Sequence, residues 1–559
     1  MYARLRSIYD DKNKIPSVRL RGSFVYNFWQ DETHVKGIWR RTTMDDFKTS
    51  APTWETVLDV DALAAEESVS WVWKGPVFLD YGPGQETRKD RCVVKLSDGG
   101  TDACAIREFD VVRKAFVPES EHPFNVPPGK NNFAWVDRDV CWIGHDRGPG
   151  TMSPSGYPLT TVEWRRGTPL SEAKEIWRGE PEDVVAAGSA YWDKGHRYKI
   201  WYRAVTFYDT RHHAENARGE RVEVDIPSDF SLNTFADHVV IHCKSDWDLS
   251  RRGDEEAGEG GGFFFKSGTV VAHPAASFLD GAREDFTVLY EPANERCAYG
   301  GSSDTRDYLL VHALEDLRTK VLVWRFDASA PEGAPKFSLA KEYVAEGCRS
   351  FGASGVDANA SNDVFVTADG FLDPASLSLA TAPDVEVTGE PLKKNTEWFD
   401  ATGMDATLRE AVSDDGTKVP YFLVRPDTER PGPGPCVLYG YGGFEIPMLP
   451  GYSASVGEAF LSRGVSYAVA CIRGGGEFGP EWHRAAKKAK RWRAYEDFAA
   501  VAKDLVASGV TTHERLGCVG GSNGGLLTGA MVTHYPHLFG AAVSQCPLLD
   551  MERYVLLTS

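Results

Sequence analysis

The pattern of apolar residues changes character once, near residue 395, and that change limits what the chain can fold into. From about residue 20 the sequence is a train of short runs rich in β-branched and aromatic residues: "GSFVYNFWQD", "KGIWRRTT", "SWVWKG", "RCVVKLS", "DVCWIGHD", "RYKIWYRAVTFYD", "YLLVHALE", "KVLVWRFD". Turn residues such as "SDGG", "DKGH" and "ADG" separate them. Many runs alternate apolar and polar positions, as half-buried antiparallel strands do. The expectation is a large all-β region. A propeller accommodates that many strands with only short, protected edges, and a pair of sandwiches is the alternative. The acidic, Gly-rich stretch 251–262 reads as an exposed loop.

After a linker-like "PLKKNTEWFDATG", strands alternate with helices. "GPCVLYGYGG" precedes "VGEAFLSRG", "SYAVACIRGGG" precedes "AYEDFAAVAKDLVASG", and "RLGCVGG" precedes a helix opening near Asn523, followed by "GAAVSQCP". Phe498, Val501 and Leu505 fall on one helical face, and Gly509 suits the position just past a helix end. Such alternation implies a parallel sheet covered by helices.

The 559 residues suggest more than one domain. A net charge of −19 disfavours nucleic acid and anionic membranes as partners. The one basic stretch, "HRAAKKAKRWRAYEDF" from His483, reads as a solvated loop and helix start. The 10 cysteines are scattered without metal-site spacing, and adjacent His212 and His213 point to opposite sides of a strand. No cofactor or metal is expected. With no signal-like N-terminus and no apolar stretch of bilayer length, a cytoplasmic, monomeric protein is expected.

The chemistry concentrates at residues 520–524, Gly-Gly-Ser-Asn-Gly, at a strand-to-helix junction. A G-x-S-x-G turn presents serine as a nucleophile, and glycine two positions to either side avoids a clash across the tight turn. Ser522 is the candidate nucleophile, and the Asn523 backbone N–H can face a developing oxyanion. "LYGYGGFEIP" at 438–447 follows an earlier strand, where a second oxyanion donor is found in hydrolases of this class, and the Tyr441 hydroxyl can supply it. "IRGGGEFG" lacks the Lys-Ser/Thr ending of a phosphate loop and reads as a tight turn near the oxyanion loop.

"YGYGGF", "IRGGGEFG" followed by "EWH", and "GGSNGG", in this order and spacing, resemble the prolyl oligopeptidase family of serine peptidases. The resemblance is dense from about 412 onward, and "FVYNFWQD…GIWRRTT" resembles the opening blade of bacterial-type members. It implies a seven-bladed β-propeller capping an α/β-hydrolase domain, divided as an N-terminal segment 1–20, a propeller 21–395 and a hydrolase domain 396–559. It implies cleavage of short peptides, often after proline, with Phe444 resembling a wall of the proline pocket.

The acid and base of the catalytic triad are expected to be missing from these residues. The triad order in this fold is Ser, acid, His. His534 lies at the far end of the helix leaving Ser522, about 18 Å away at 1.5 Å per residue. His537 follows Pro536, beyond that helix. Asp550 sits in "LLDM", which in this family resembles a structural segment. By the resemblance, acid and base come on loops beyond Ser559, and the chain is expected to be truncated there and at its N-terminus. Residues 1–559 are therefore expected to be inactive, and an uncovered sheet edge is expected. Other readings are a different α/β-hydrolase, such as an esterase or aminopeptidase, and a non-catalytic propeller module with a hydrolase remnant.

Overall fold

The computed structural model describes residues 1–553 other than 86, 250, 253–254, 257–261, 332, 387–388 and 428–431. Seven antiparallel sheets succeed one another among the described residues, each built on four strands taken in sequence order, with a fifth strand in the second and an insertion within the fifth. Their first strands are Val18–Arg21, Trp71–Phe78, Asn132–Trp135, Val185–Asp193, Ser231–Phe235, Cys297–Asp304 and Arg349–Gly355, and the last blade ends with Lys393–Lys394. The expectation at 251–262 falls mainly outside the described residues. What is described there is a pairing of Arg251–Arg252 with Glu255–Glu256, inserted in the fifth blade.

The abundant aromatic residues explain how blades stack. Each blade is apolar on both faces, so wide, flat side chains fill the gaps between neighbours. Tyr26, Trp39, Cys92 and Phe109 pack between the first two blades. Trp142 and Trp201 stack at 5.0 Å between the third and fourth, and Phe235, Val311 and Phe326 join the fifth and sixth. Among the described residues no strand is shared between the first and seventh blades. Their seam is closed by Val25, Phe47, Val356, Phe365 and Leu377.

The two ends of the ring differ. At one end lie the turns joining first to second strands. There the turn Asp193–His196 of the fourth blade reaches across the ring. The Lys194 backbone N–H donates to Asn359 Oδ1 of the seventh blade at 3.0 Å, while its ammonium meets Asp193 and, on the sixth blade, Asp304. The opposite end faces the hydrolase domain.

That domain is a six-stranded sheet: β1 (Asp405–Val412), β2 (Lys418–Arg425), β3 (Cys436–Gly440), β4 (Ser466–Ala470), β5 (Leu516–Gly521) and β6 (Ala541–Gln545), in spatial order β1-β2-β4-β3-β5-β6. The last four are mutually parallel, as the alternation predicts. The β1–β2 hairpin adds antiparallel strands that the alternation did not announce. The helices are α1 (Ala454–Ala459), α2 (Gly479–Arg484), α3 (Trp492–Ala507) and α4 (Asn523–His534). Phe498, Val501 and Leu505 of α3 are fully buried with Leu438, Ala468, Leu516 and Leu527. Gly509, at φ +74°, follows the end of α3. All five residues of β6 are exposed.

A helix not foreseen in the sequence, Tyr2–Tyr9, lies against this domain. Arg4 donates to Trp398 O at 3.1 Å and pairs with Glu458 at 3.3 Å. No helix among the described residues is long and apolar enough to cross a membrane.

Candidate active site

The end of β5 is pinned between two parallel neighbours, and the chain must reverse there to enter α4. Ser522 makes that reversal at φ 55° and ψ −115°, a conformation disfavoured for a residue with a Cβ. Its N–H donates to Gln545 O at 2.9 Å, and its own carbonyl accepts from Gly525 N at 2.9 Å. The spacing of glycines follows from contact. A Cβ on Gly520 would overlap the carbonyl of Gly524, and one on Gly524 would lie 2.5 Å from Gly440 O. Ser522 is exposed, while Asn523, at the first position of α4, is buried. The N–H groups of the first helical turn have no intrahelical acceptor, so this end of α4 favours negative charge.

The segment leaving β3 lies against the elbow. It is contorted, with positive φ at Gly442 (59°), Phe444 (55°) and Glu445 (59°). Asn523 Nδ2 donates to Tyr441 O at 2.6 Å. Arg491 donates to Asn523 Oδ1 at 3.2 Å and also to Gly442 O. Tyr441 and Ser522 are thus held together through the Asn523 side chain. The turn after β4 packs beneath: a Cβ on Gly474 would come within 2.6 Å of Gly442 O, and Glu445 N–H donates to Gly474 O at 3.2 Å.

Phe444 is 39% exposed and faces the propeller, where Phe207 meets it edge to face at 5.7 Å. Around it the domains are joined by charge. Lys244 pairs with Glu445 at 2.9 Å, Arg484 donates to Lys244 O at 2.7 Å and Ser267 Oγ at 3.0 Å, and Arg296 pairs with Glu410 at 2.8 Å.

This corrects the reading of the basic stretch from His483 as a solvated loop and helix start. Arg484 joins the propeller, Lys487 lies 3.5 Å over the Tyr208 ring of the fourth blade, and Arg491 braces the elbow. Lys488, Ala489, Lys490 and Trp492 keep the expected exposure. His483 is buried, its Nδ1 2.8 Å from Gly474 O, and burial lowers its pKa.

The structure brings Ser522, Asn523, Tyr441 and Phe444 to one locality. It places the other residues weighed for a triad elsewhere. His534, at the end of α4, stacks edge-on against Trp492 at 4.6 Å, His537 lies in the turn Pro536–Leu538, and Asp550 pairs with Arg553. No metal-competent cluster of His, Cys, Asp and Glu occurs among the described residues.

Three residues of this site had not been singled out: Arg491, Glu477 and Arg473. Arg473, just after β4, is buried in contact with two carboxylates. It reaches Asp497 Oδ1 at 2.6 Å and Asp415 Oδ2 at 2.6 Å, and holds the Asp415 carboxyl well below the usual range.

Comparison with known proteins accords with this geometry. The family model described as "Prolyl oligopeptidase family" matches residues 452–559, and "Prolyl oligopeptidase, N-terminal beta-propeller domain" matches residues 1–224. The chain is 38% identical over 547 residues to an uncharacterized peptidase, y4nA, of Sinorhizobium fredii, covering 96% of this chain and 71% of that protein. A second uncharacterized peptidase, RP174 of Rickettsia prowazekii, is 27% identical, covering 98% and 74% respectively. Among solved structures, a post-proline cleaving enzyme from Rickettsia typhi superimposes with a TM-score of 0.85 at 26% identity, covering 99% of this chain and 78% of that one. With both domains matched and its propeller and hydrolase sheet in the expected order, the chain belongs to the prolyl oligopeptidase family of serine peptidases.

Proposed function

We propose that this chain carries the nucleophile and oxyanion half of an oligopeptidase that cleaves short peptides after proline. The observation that carries the reading is the backbone of Ser522, an exposed serine held at positive φ on a strand-to-helix turn. Its hydroxyl would attack the carbonyl carbon of the scissile bond. The Asn523 N–H and the Tyr441 hydroxyl would receive the charge on the tetrahedral oxygen, collapse would give an acyl-enzyme, and water would release it. Phe444 would form one wall of the pocket for proline, with the propeller above restricting access to short, unfolded peptides. Ten free cysteines suit a reducing compartment, in keeping with a cytoplasmic monomer.

We further read residues 1–559 as lacking the base for Ser522, since His534 packs on Trp492, His537 lies in the turn beyond α4 and His483 is held to Gly474 O. Assayed with a proline-containing chromogenic peptide, residues 1–559 are expected to give no turnover above that of Ser522→Ala. A chain continued through loops that supply an Asp and a His is expected to turn the peptide over, and to lose that turnover with Ser522→Ala. Faster hydrolysis of simple esters than of prolyl peptides by the continued chain would exclude the post-proline assignment.

A further inference from the structure

Glu477 follows the glycines of "IRGGGEFG" and is 1% exposed. Its Oε1 accepts the backbone N–H of Met448 at 2.9 Å. Among the described residues no group pairs with its Oε2. The carboxyl fills the space that bare glycine backbone leaves, because a Cβ on Gly475 would overlap it. A Cβ on Gly476 would press on Glu445 O and come within 3.2 Å of Pro447. Glu477 therefore lies directly beneath the contorted segment 441–448.

That segment is secured at its start by Asn523 and Arg491, which hold Tyr441 O and Gly442 O. Between these bonds and Met448 lie two left-handed non-glycine residues, Phe444 and Glu445. We propose that Glu477 is a positioning residue for the active site, its carboxyl pinning the Met448 end of the segment that presents Tyr441 and Phe444. The role rests on the reading of that segment as oxyanion donor and pocket wall.

A carboxyl in this place is best kept neutral. Among the described residues, the groups packed around it offer no compensating cation. From the end of β4 comes the Cys471 thiol, which donates to Met448 O at 3.5 Å and is itself pushed up by burial and by Glu477. In the pinned segment, Glu445 is paired with Lys244. On the side of α2, His483 is held to Gly474 O, Arg484 points to the propeller, and Arg296 lies over the neighbouring Phe478 ring but pairs with Glu410. Burial pushes the Glu477 carboxyl up to about 8.

The sign of the pH effect follows. When the segment opens, Glu477 meets water and returns to an ordinary value of about 4.3. Between that value and about 8, the open form binds fewer protons than the closed form. Opening is then favoured by about tenfold per pH unit and levels off above about 8.

Hydrogen exchange of the Met448 amide and its neighbours tests this, read as protection factors corrected for the intrinsic pH dependence of exchange. Wild-type protection is expected to fall by about tenfold per unit from pH 5 to 8. Glu477→Gln keeps the acceptor for Met448 and cannot ionise, so its protection is expected to stay level across the same range. Relative to Glu477→Gln, Glu477→Ala is expected to lose protection in 441–448 by about tenfold or more at every pH, with the strand 516–521 unchanged. Parallel wild-type and Gln profiles would overturn the proposal, as would unchanged protection in a folded Ala variant. If the Ala variant does not fold, the wild-type and Gln comparison decides alone. The measurement needs no turnover, so a failure of the post-proline reading leaves its outcome legible.

Discussion

At the scale of single residues, the elbow stores strain in one place. Ser522 carries a Cβ at φ 55°, with its neighbours at 520 and 524 stripped to glycine so that the turn can close. Ser522→Gly is expected to raise stability by about 1 kcal/mol, because glycine adopts positive φ without the steric cost. Ser522→Ala keeps the Cβ and is expected to leave stability nearly unchanged. Thermal unfolding of the two variants beside the wild type separates them, and equal melting temperatures for Gly and wild type would remove the strain argument. The elbow was legible in the sequence because its requirement is local: three positions on one turn. Arg491 was not, because a run of Lys and Arg looks solvated until the fold brings residues 442 and 523 to it. Glu477 was hidden for a related reason. Its significance lies in burial and an unpaired oxygen, which no local pattern encodes.

At the scale of elements, the junction of β4 with α3 depends on one cation between two carboxylates. Asp497 on α3 is completely buried, and Arg473 donates to both of its oxygens. Arg473→Met would leave that carboxylate buried and unpaired, and is expected to cost about 3–5 kcal/mol. Denaturant midpoints measure it, and a loss within error of a surface substitution would contradict the assignment. The pH dependence has a definite sign. Arg473 depresses the Asp415 carboxyl, so this contribution is present above the ordinary Asp value of about 3.9 and is lost as pH falls below it towards the lower folded value. The Met variant keeps only the smaller part that Thr417 supplies, so its loss over the same range is smaller. Strand and helix positions in this domain were readable because apolar runs of β3 to β6 alternate with amphipathic segments. The β1–β2 hairpin was less so, since its pairing partner β4 is reached only after an intervening strand and helix. The N-terminal helix escaped notice because none of its residues is buried.

At the scale of the whole molecule, propeller and hydrolase domain meet through an apolar cluster that includes Leu317, Phe371, Phe422 and Phe478, and through charged pairs. The charged contact beside the candidate site is Lys244 with Glu445, one residue from Phe444, which itself meets Phe207. Lys244→Glu sets like charges against each other there and is expected to weaken the contact by at least about 1 kcal/mol. A larger radius of gyration by small-angle scattering, reversed in part by salt, is the expected result. An unchanged radius at low salt would show that the other contacts hold the domains alone. The propeller was readable as an all-β region, but its blades could not be counted by eye because they share size and pattern rather than sequence.

The turn Asp193–His196 makes the ring more than a hollow cylinder. A lumen open at both ends would admit a thread from either side. Here Lys194 lies across the bore like a spoke, its main chain fixed to Asn359, its ammonium held between Asp193 and Asp304 and seated 4.2 Å over the Phe235 ring. A polypeptide arriving at that end would have to break the spoke before it could travel inward. The far mouth of the ring thus carries a strut that ties the fourth blade to the sixth and seventh.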